Sequence, residues 1–343
     1  MSRTTTFESP KTVTAASKAV TFYGQCKKPS IGKVLFGKYE FEPWFGNAAY
    51  FYPHEGPHDV LGFEYANQIA SNPTSRMRSK AAYNEKEYWI ENLTVCEYCF
   101  KYSARRDEVT NHTRRCKLNR AKPNIGKLVY YDFHKDIIIR EIRGFQEPLL
   151  CQNLCLFGKL FLDDKSVYYN IDHFNFYIYY GKDGEENFKP MAFFSKEMIS
   201  YESANNLACI CVFPPFQRRH IGAMLIEFSY KIAKSLSEES SGPEVPLSPF
   251  GKVAYLRFWS KSVASILTKK QKASKSFTLE ELSKTTGYRK EDILYTLEHM
   301  NILVLKPNNE LIISMPRFKK WIAANKYNPK SQHDLLEAKY MHF

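Results

Sequence analysis

Four residues have the types and spacing to hold a metal ion. Cys96 and Cys99 stand two residues apart, His112 follows after twelve more, and Cys116 after another three. Two thiolates on a tight turn, then an imidazole and a thiolate one helical turn apart, offer soft and borderline donors to a tetrahedron, as Zn2+ requires. Four protein ligands close that shell. The zinc expected here is therefore structural, with no position left for substrate or an activated water. Arg114 and Arg115 lie between the last two ligands, where contact with phosphate is a weaker second use of the segment.

A second group is suited to an anion. Gln217-Arg218-Arg219-His220-Ile221-Gly222-Ala223 follows the apolar run Leu207 to Phe213 and opens a helical pattern with Leu225, Phe228, Ile232 and Leu236 on one face. A short, continuously apolar run reads as a buried strand, and Pro214-Pro215 ends it. Free N–H donors and partial positive charge at a helix N-terminus suit a pyrophosphate, and two arginines in the same turn add charge. Alone, this strand, basic turn and helix would be a weak signal.

The elements that must position these groups can be read coarsely. Residues 1–30 carry Ser, Thr and Lys without a hydrophobic period and are expected to be a flexible basic tail. Tyr39-Glu40-Phe41 and Tyr50-Phe51-Tyr52 predict short strands, and residues 66–87 predict a loop. Phe174, Phe176 and Ile178 alternate before Gly181-Lys182-Asp183-Gly184, and Met191 to Phe194 follows, a hairpin pattern. Lys234 to Pro243 reads as a Ser/Glu-rich loop, with a proline-punctuated segment over 243–251. Thr278 with Glu281 forms a capping box, Gly287 ends that helix, and a second runs through Ile293, Leu294 and Leu297. Strands at 302–305 and 311–314 around Pro307-Asn308-Asn309 complete a winged-helix-like order.

The 343 residues carry 49 Lys+Arg against 36 Asp+Glu, a net charge of +13. That excess favours polyanionic partners such as nucleic acid, chromatin or an anionic cofactor, although a solvated basic surface fits the same count. No apolar run approaches the ~18 residues that span a bilayer, and no apolar signal core opens the chain, so neither a membrane nor secretion is expected. Eight Cys in such a chain point to reduced thiols and metal ligation, in cytosol or nucleus.

The loop Gln217 to Ala223 resembles the acetyl-CoA loop of the MYST-family histone acetyltransferases. Further blocks carry the same resemblance: Phe36-Gly37-Lys38-Tyr39-Glu40 with Pro43-Trp44, Cys96-Glu97-Tyr98-Cys99, Leu154-Cys155-Leu156-Phe157, and Leu162-Asp163-Asp164-Lys165. Phe193-Phe194-Ser195-Lys196, Asn206-Leu207-Ala208-Cys209-Ile210, Leu225 to Tyr230 and Gly242 to Ser248 extend it. The resemblance implies an α+β fold: a GNAT-like acetyl-CoA-binding core (123–260), preceded by strands with the zinc finger (31–122) and followed by a winged-helix-like region (261–343). It implies Glu244 as general base, Cys209 as the active-site cysteine and Lys165 as a site of autoacetylation. Acetyl-CoA would be lined by Cys209, Ile210, Cys211, Val212, Phe213, Arg218, Arg219, His220, Ile221, Gly222, Ala223 and Met224, with Ser248 nearby. The partners implied are a histone tail (histone H4 in the silencing-associated branch), the nucleosome and accessory subunits of an acetyltransferase complex. Non-specific DNA contact and a chromatin-associated, nuclear setting go with them.

Elementary chemistry is consistent with those roles. A lysine ammonium, with pKa near 10.4, cannot attack a thioester until it loses a proton, so a positioned carboxylate is needed. Glu244 lies between Pro243 and Pro246, which restrict its backbone; a solvated loop glutamate is the plain alternative. Cys209 either relays the acetyl group or packs beside the cofactor, and Cys211 should share its side of the strand. Lys165 after two aspartates also fits a salt bridge. His220 departs from the family loop, which has its first Gly there. A side chain at a position of positive φ costs about 1 kcal/mol, so weakened acetyl-CoA affinity is expected. Two other readings stand beside the enzyme, a zinc-finger and winged-helix DNA-binding regulator and a catalytically weak chromatin scaffold. The first needs several exposed basic residues on a recognition helix, but the helix after Gly287 offers only Arg289 and Lys290 before mostly acidic or apolar residues, which argues against it.

Overall fold

The computed structural model describes residues 25–26, 30–47, 50, 89–162, 171–184, 187–198, 205–236, 240–271, 278–307, 309–328 and 335–343. The chain divides into two compact units, one comprising Met1–Cys96, Phe100–His112 and Gln152–Tyr169, the other Glu97–Cys99, Thr113–Cys151 and Asn170–Phe343. Sheets and helices are mixed throughout. No helix among the described residues is long and apolar enough to cross a membrane.

In the first unit lie β1 (Gln25–Cys26), β2 (Ile31–Phe36), β3 (Tyr39–Phe41), β4 (Gly46–Asn47), β5 (Ile90–Val95) and β6 (Tyr102–Ser103). They form a four-stranded sheet in the order β3-β2-β5-β6 and a small β1-β4 ladder. Gly37, at φ 59, supplies the left-handed residue that the tight turn between β2 and β3 needs. Phe36 stacks on Phe157 with ring centroids 5.0 Å apart, and both rings are buried. Strand β1 falls within residues 1–30, the segment expected to be a flexible tail, of which 1–24 and 27–29 lie outside the described residues. Gln25 and Cys26 pair with Asn47 and Gly46, a ladder that exists only once a partner some twenty residues away is in place. Residues 51–52 and the loop expected at 66–87 lie outside the described residues.

The second unit is built on a five-stranded antiparallel sheet. Its strands are β7 (Lys127–Asp132), β8 (Ile137–Arg143), β9 (Phe174–Gly181), β10 (Lys189–Glu197) and β12 (Cys209–Val212), in the order β12-β10-β9-β8-β7. The hairpin expected around Gly181 to Gly184 is present. Its strands are buried on both faces, so nearly every side chain from Asn175 to Lys196 on the ladder is apolar or internally bonded. Phe228 of a covering helix meets Tyr177 and Phe194 of the sheet edge-on, at 6.1 and 6.4 Å. The run Leu207 to Phe213 is not one strand. It breaks at Ala208 into β11 (Asn205–Leu207) and β12, because β11 pairs in parallel with β13 (Gly242–Pro243) while β12 pairs with β10.

Seven α-helices occur among the described residues: α1 (Arg106–Arg115), α2 (Pro148–Gly158), α3 (Ile221–Ser235), α4 (Pro249–Gln271), α5 (Leu279–Thr286), α6 (Lys290–His299) and α7 (Met315–Ala324). Helix α3 buries Leu225, Phe228 and Ile232 as its period predicts, but Leu236 lies past the last turn and is 57% exposed. Helix α4 begins inside the proline-punctuated segment, since Pro249 opens it, a position where proline's missing N–H costs nothing. The capping box of Thr278 and Glu281 and the left-handed Gly287 (φ 74) bound α5 as expected. A hairpin of β14 (Leu303–Leu305) and β15 (Leu311–Ile313) follows α6. The C-terminal residues return to the sheet edge: His342 N–H donates to the Val129 carbonyl at 3.0 Å, and Leu335 N–H to the Glu227 carboxylate at 2.9 Å.

A second core joins α3 to α6 around Trp259, whose Nε1–H donates to Tyr230 Oη at 2.9 Å. Asp292 is buried beside it. Burial raises its carboxyl to about 6, against the opposing pull of Arg289 and with Glu291 adding to the rise; the phenols of Tyr230 and Tyr255 also face it. From about pH 4 to 6 the folded chain thus holds a proton that the unfolded chain gives up, so this group's contribution to stability falls as pH rises through that window. Asp292→Asn is expected to flatten that dependence and to stabilise the chain near pH 7 by on the order of 1–3 kcal/mol. Urea unfolding at pH 4.5 and 7 measures it; equal pH dependence in both proteins would refute the assignment.

Candidate active site and metal centre

The turn between β5 and β6 presents two of the metal-ligating residues. Cys96 N–H donates to the Lys101 carbonyl at 2.7 Å, and Phe100 N–H to the Cys96 carbonyl at 3.0 Å. Phe100 takes φ 63 to close the turn. Helix α1 carries His112, and Cys116 follows its last turn. One ligand atom from each of Cys96, Cys99, His112 and Cys116 lies within 4.8 Å of the others. Bonds of ~2.3 Å in a tetrahedron give edges of about 3.8 Å, so the donor set and its spacing fit zinc. Glu97, between the two cysteines, accepts a bond from the buried Lys189 Nζ at 2.6 Å.

Strand β12 organises the rest. Its register sets Cys209 opposite Ser195 and Val212 opposite Ala192. Cys209 N–H donates to Ser195 Oγ at 3.2 Å and Ala208 N–H to the Ser195 carbonyl at 2.7 Å. Cys209, Cys211 and Phe213 are buried, whereas Ile210 and Val212 are half-buried on the other face. The two cysteines therefore share one side, as alternation requires. Burial pushes the Cys211 thiol up to about 12, with Cys209 adding to the rise. No local sequence signal marks Ser195, because only the cross-strand ladder brings it to Cys209.

The ends of this strand meet two different groups. Just before its start, across the break at Ala208, Glu244 N–H donates to the carbonyl of Leu207, the last residue of β11, at 2.8 Å, continuing the β11–β13 ladder. At its end, Gln217 Nε2 donates to the Val212 carbonyl at 3.2 Å, tying on the basic turn. Arg218 and His220 both take φ 62, and His220 is the N-cap of α3. A left-handed residue followed by a helical one turns successive N–H groups into one concavity, a shape that holds anions. Arg219 is braced elsewhere: Nη1 donates to Asp183 Oδ1 at 3.0 Å, and its guanidinium lies 5.3 Å from the Phe216 ring centre. At Gly222 a Cβ would meet only Val212 Cγ2, at 3.5 Å, so protein packing does not demand glycine. Ser248 Oγ accepts the Gly251 N–H at 3.2 Å at the start of α4. Lys165 lies outside the described residues.

An antiparallel sheet whose edge strand β12 runs into a basic helix N-terminus, and whose preceding strand β11 is tied to a carboxylate-bearing loop, suits a group-transfer enzyme with an anionic donor. Residues 123–340 match the MOZ/SAS family. The chain is 40% identical over 293 residues to the histone acetyltransferase SAS2 of Saccharomyces cerevisiae, covering 85% of this chain and 80% of that protein. It is 37% identical over 238 residues to the histone acetyltransferase MOF of Drosophila melanogaster, covering 66% of this chain and 28% of that protein. With the histone acetyltransferase of the MYST family 1 of Arabidopsis thaliana it shares 32% over 291 residues, 85% of this chain and 55% of that protein. It thus spans four-fifths of the yeast relative and about half or less of the other two. The chain belongs to the MOZ/SAS family and is a MYST-type lysine acetyltransferase whose acyl donor is acetyl-CoA.

Proposed function

We propose that the chain acetylates a lysine of a histone tail, histone H4 in the first instance, with Glu244 as general base. Glu244 takes the proton of the lysine ammonium; the neutral amine attacks the thioester carbonyl, the C–N bond forms, the C–S bond breaks and the coenzyme leaves as its thiol. The observation that carries this reading is the succession of β11 and β12, with Glu244 tied to the last residue of β11 and the Gln217 turn tied to the end of β12. Leu207 and Val212 are five residues apart with a break at Ala208, so roughly 17 Å at ~3.3 Å per residue is the upper limit of their separation, within the span of an extended pantetheine arm. The donor would lie along Ile210 and Val212, its pyrophosphate over the N–H groups of the first turn ahead of Met224, whose own N–H donates to the His220 carbonyl, and Gly222 leaves room there. Cys209 packs beside the thioester, and its burial favours direct attack in a ternary complex over a covalent relay.

The finger residues would hold one structural zinc in a module over residues 31–122, and α5, α6 and the β14–β15 hairpin, in that order, support reading residues 261–343 as a winged-helix-like region. Lys165 is the proposed autoacetylation site. The relatives' names support a histone substrate; a nucleosomal target, a nuclear, chromatin-associated setting and accessory subunits of a SAS-like complex are part of the same proposal, and the basic charge suits non-specific DNA contact. The test is mass spectrometry of histone tails after purified complex is incubated with nucleosomes and acetyl-CoA. Absence of tail acetylation alongside tight DNA binding would favour a regulator or scaffold instead.

His220 gives a second, smaller test. The structure holds it in the left-handed region, so its strain of about 1 kcal/mol is carried by the folded chain and its side chain stands at the donor turn. His220→Gly is expected to tighten acetyl-CoA binding by about two- to five-fold because it clears the side chain from the donor turn and lets backbone and ligand approach closely; the φ strain, present with and without the donor, does not enter the affinity. Its stability should change by less than about 1 kcal/mol, because glycine's extra freedom in the unfolded chain offsets the strain relieved. Calorimetric titration with acetyl-CoA reads the affinity, and an unaltered value would show that the departure at this position is neutral.

A further inference from the structure

The short strand β13, which delivers Glu244, has a neighbour on each side. On one side is β11, with Asn205 opposite Gly242 and Leu207 opposite Pro243. On the other, Ser241 N–H donates to the Gly287 carbonyl at 2.9 Å, and Ser241 bridges to Tyr288. The next residue, Arg289, closes this arrangement. Its Nη1 donates to the Pro243 carbonyl at 3.1 Å, while Nη2 donates to the Gly242 carbonyl at 3.3 Å and to Asn205 Oδ1 at 2.5 Å. One guanidinium therefore grips both strands of the ladder. Gly242 allows that approach: a Cβ there would stand 2.3 Å from Asp292 Oδ2 and 3.2 Å from Arg289 Nε.

These contacts bear on the DNA-binding reading, for which Arg289 is one of two candidates on a helix otherwise mostly acidic or apolar. Its place among basic residues at the opening of α6 suggests an exposed contact, but its side chain is turned inward onto backbone carbonyls. Lys290 instead is paired at the surface with Glu280. A fork of five donors suits carbonyl groups from two strands at once, which a lysine ammonium cannot reproduce in full.

We propose that Arg289 is a positioning residue for Glu244. It pins the two carbonyls immediately before Glu244 and the first residue of β11, and so holds the carboxylate at the start of the strand that leads into Cys209. Arg289 touches no reacting atom. The proposal deepens the function given above and rests on Glu244 being the base.

The test uses the full-length chain with its accessory subunits, a histone H4 tail peptide and acetyl-CoA. The proteins compared are wild type, Arg289→Lys, Arg289→Ala, Glu244→Gln and the double variant Glu244→Gln/Arg289→Ala. Misplacement of a reacting group by about an ångström costs on the order of 10²-fold, so Arg289→Ala should lower kcat by ~10- to 100-fold. KM for acetyl-CoA should stay within about two-fold, because the donor turn lies at the other end of β12, and Arg289→Lys should recover part of kcat. In the Glu244→Gln background, Arg289→Ala should cost little more, since residues acting through one group are not additive. If Arg289→Ala does not fold, Arg289→Lys carries the same comparisons alone and as a double variant. An unchanged kcat, or an equal further loss in the Glu244→Gln background, overturns the positioning role while leaving the base intact. Full activity of Glu244→Gln overturns the base assignment itself, and the positioning role with it.

Discussion

Glu244→Gln is expected to leave the chain folded and able to bind acetyl-CoA while acetyl transfer to a histone tail falls by ~10²- to 10⁴-fold at neutral pH. Glutamine keeps the shape and the backbone bond of Glu244 N–H to the Leu207 carbonyl, so the β11–β13 ladder is undisturbed. What is lost is a proton acceptor. A lysine of pKa near 10.4 is neutral in only about one molecule in 2,500 at pH 7, and a variant without a base must draw on that fraction. Its rate should therefore rise about tenfold per pH unit towards pH 9, narrowing the gap to wild type. Quantitative mass spectrometry of tail lysines over pH 6.5–9 reads both features. Equal rates for the two proteins at pH 7 would remove Glu244 from the chemistry, and Cys209 or a water would then have to take the proton.

Removing the metal is expected to be as damaging, for a different reason. Cys116→Ser should abolish stoichiometric zinc and unfold the segment from Cys96 to Cys116, because apparent zinc affinities of ~10–16 kcal/mol make the metal the main source of order in such a finger. The damage should reach the sheet. Glu97 stands between two ligands and accepts from Lys189 Nζ, whose side chain is only 2% exposed at the start of β10. Loss of the turn strips that buried ammonium of its carboxylate, a change that costs about 3–5 kcal/mol when one partner of a buried pair is deleted. Zinc content, hydrogen exchange of β10 and thermal unfolding should all change together. Glu97→Gln, which keeps the ligands, should retain zinc yet lose part of the same stability. If Cys116→Ser keeps its zinc, or β10 exchanges as in wild type, the finger is not the brace described here.

Much of the site is legible in the amino-acid sequence because its signals are local. The zinc residues announce themselves by donor type and by the pitch of a turn and a helix. The capping box of Thr278 and Glu281, the left-handed Gly287 and the hairpin turn before β10 each depend on hydrogen bonds or chirality within a few residues. His220 is legible only through the family resemblance, which implies a glycine at its place in the loop; the chain takes φ 62 there.

Other features depend on neighbours that no window of sequence contains. The apolar run Leu207 to Phe213 splits at Ala208 because its halves find different partners, and hydrophobicity alone does not distinguish them. Ser195 meets Cys209 across a ladder, and the C-terminal residues settle on the edge of β7, because backbone groups there accept whichever strand arrives. Arg219 and Arg289 share one residue type in basic turns, yet one is held by Asp183 and the other grips the Gly242–Pro243 backbone. By itself the sequence determined the ligand set, the helix ends and the turns, whose energies are settled within a few residues. Strand partners and the direction of each guanidinium were left to the tertiary structure, because a long, flexible donor goes to whatever acceptors the packed chain presents.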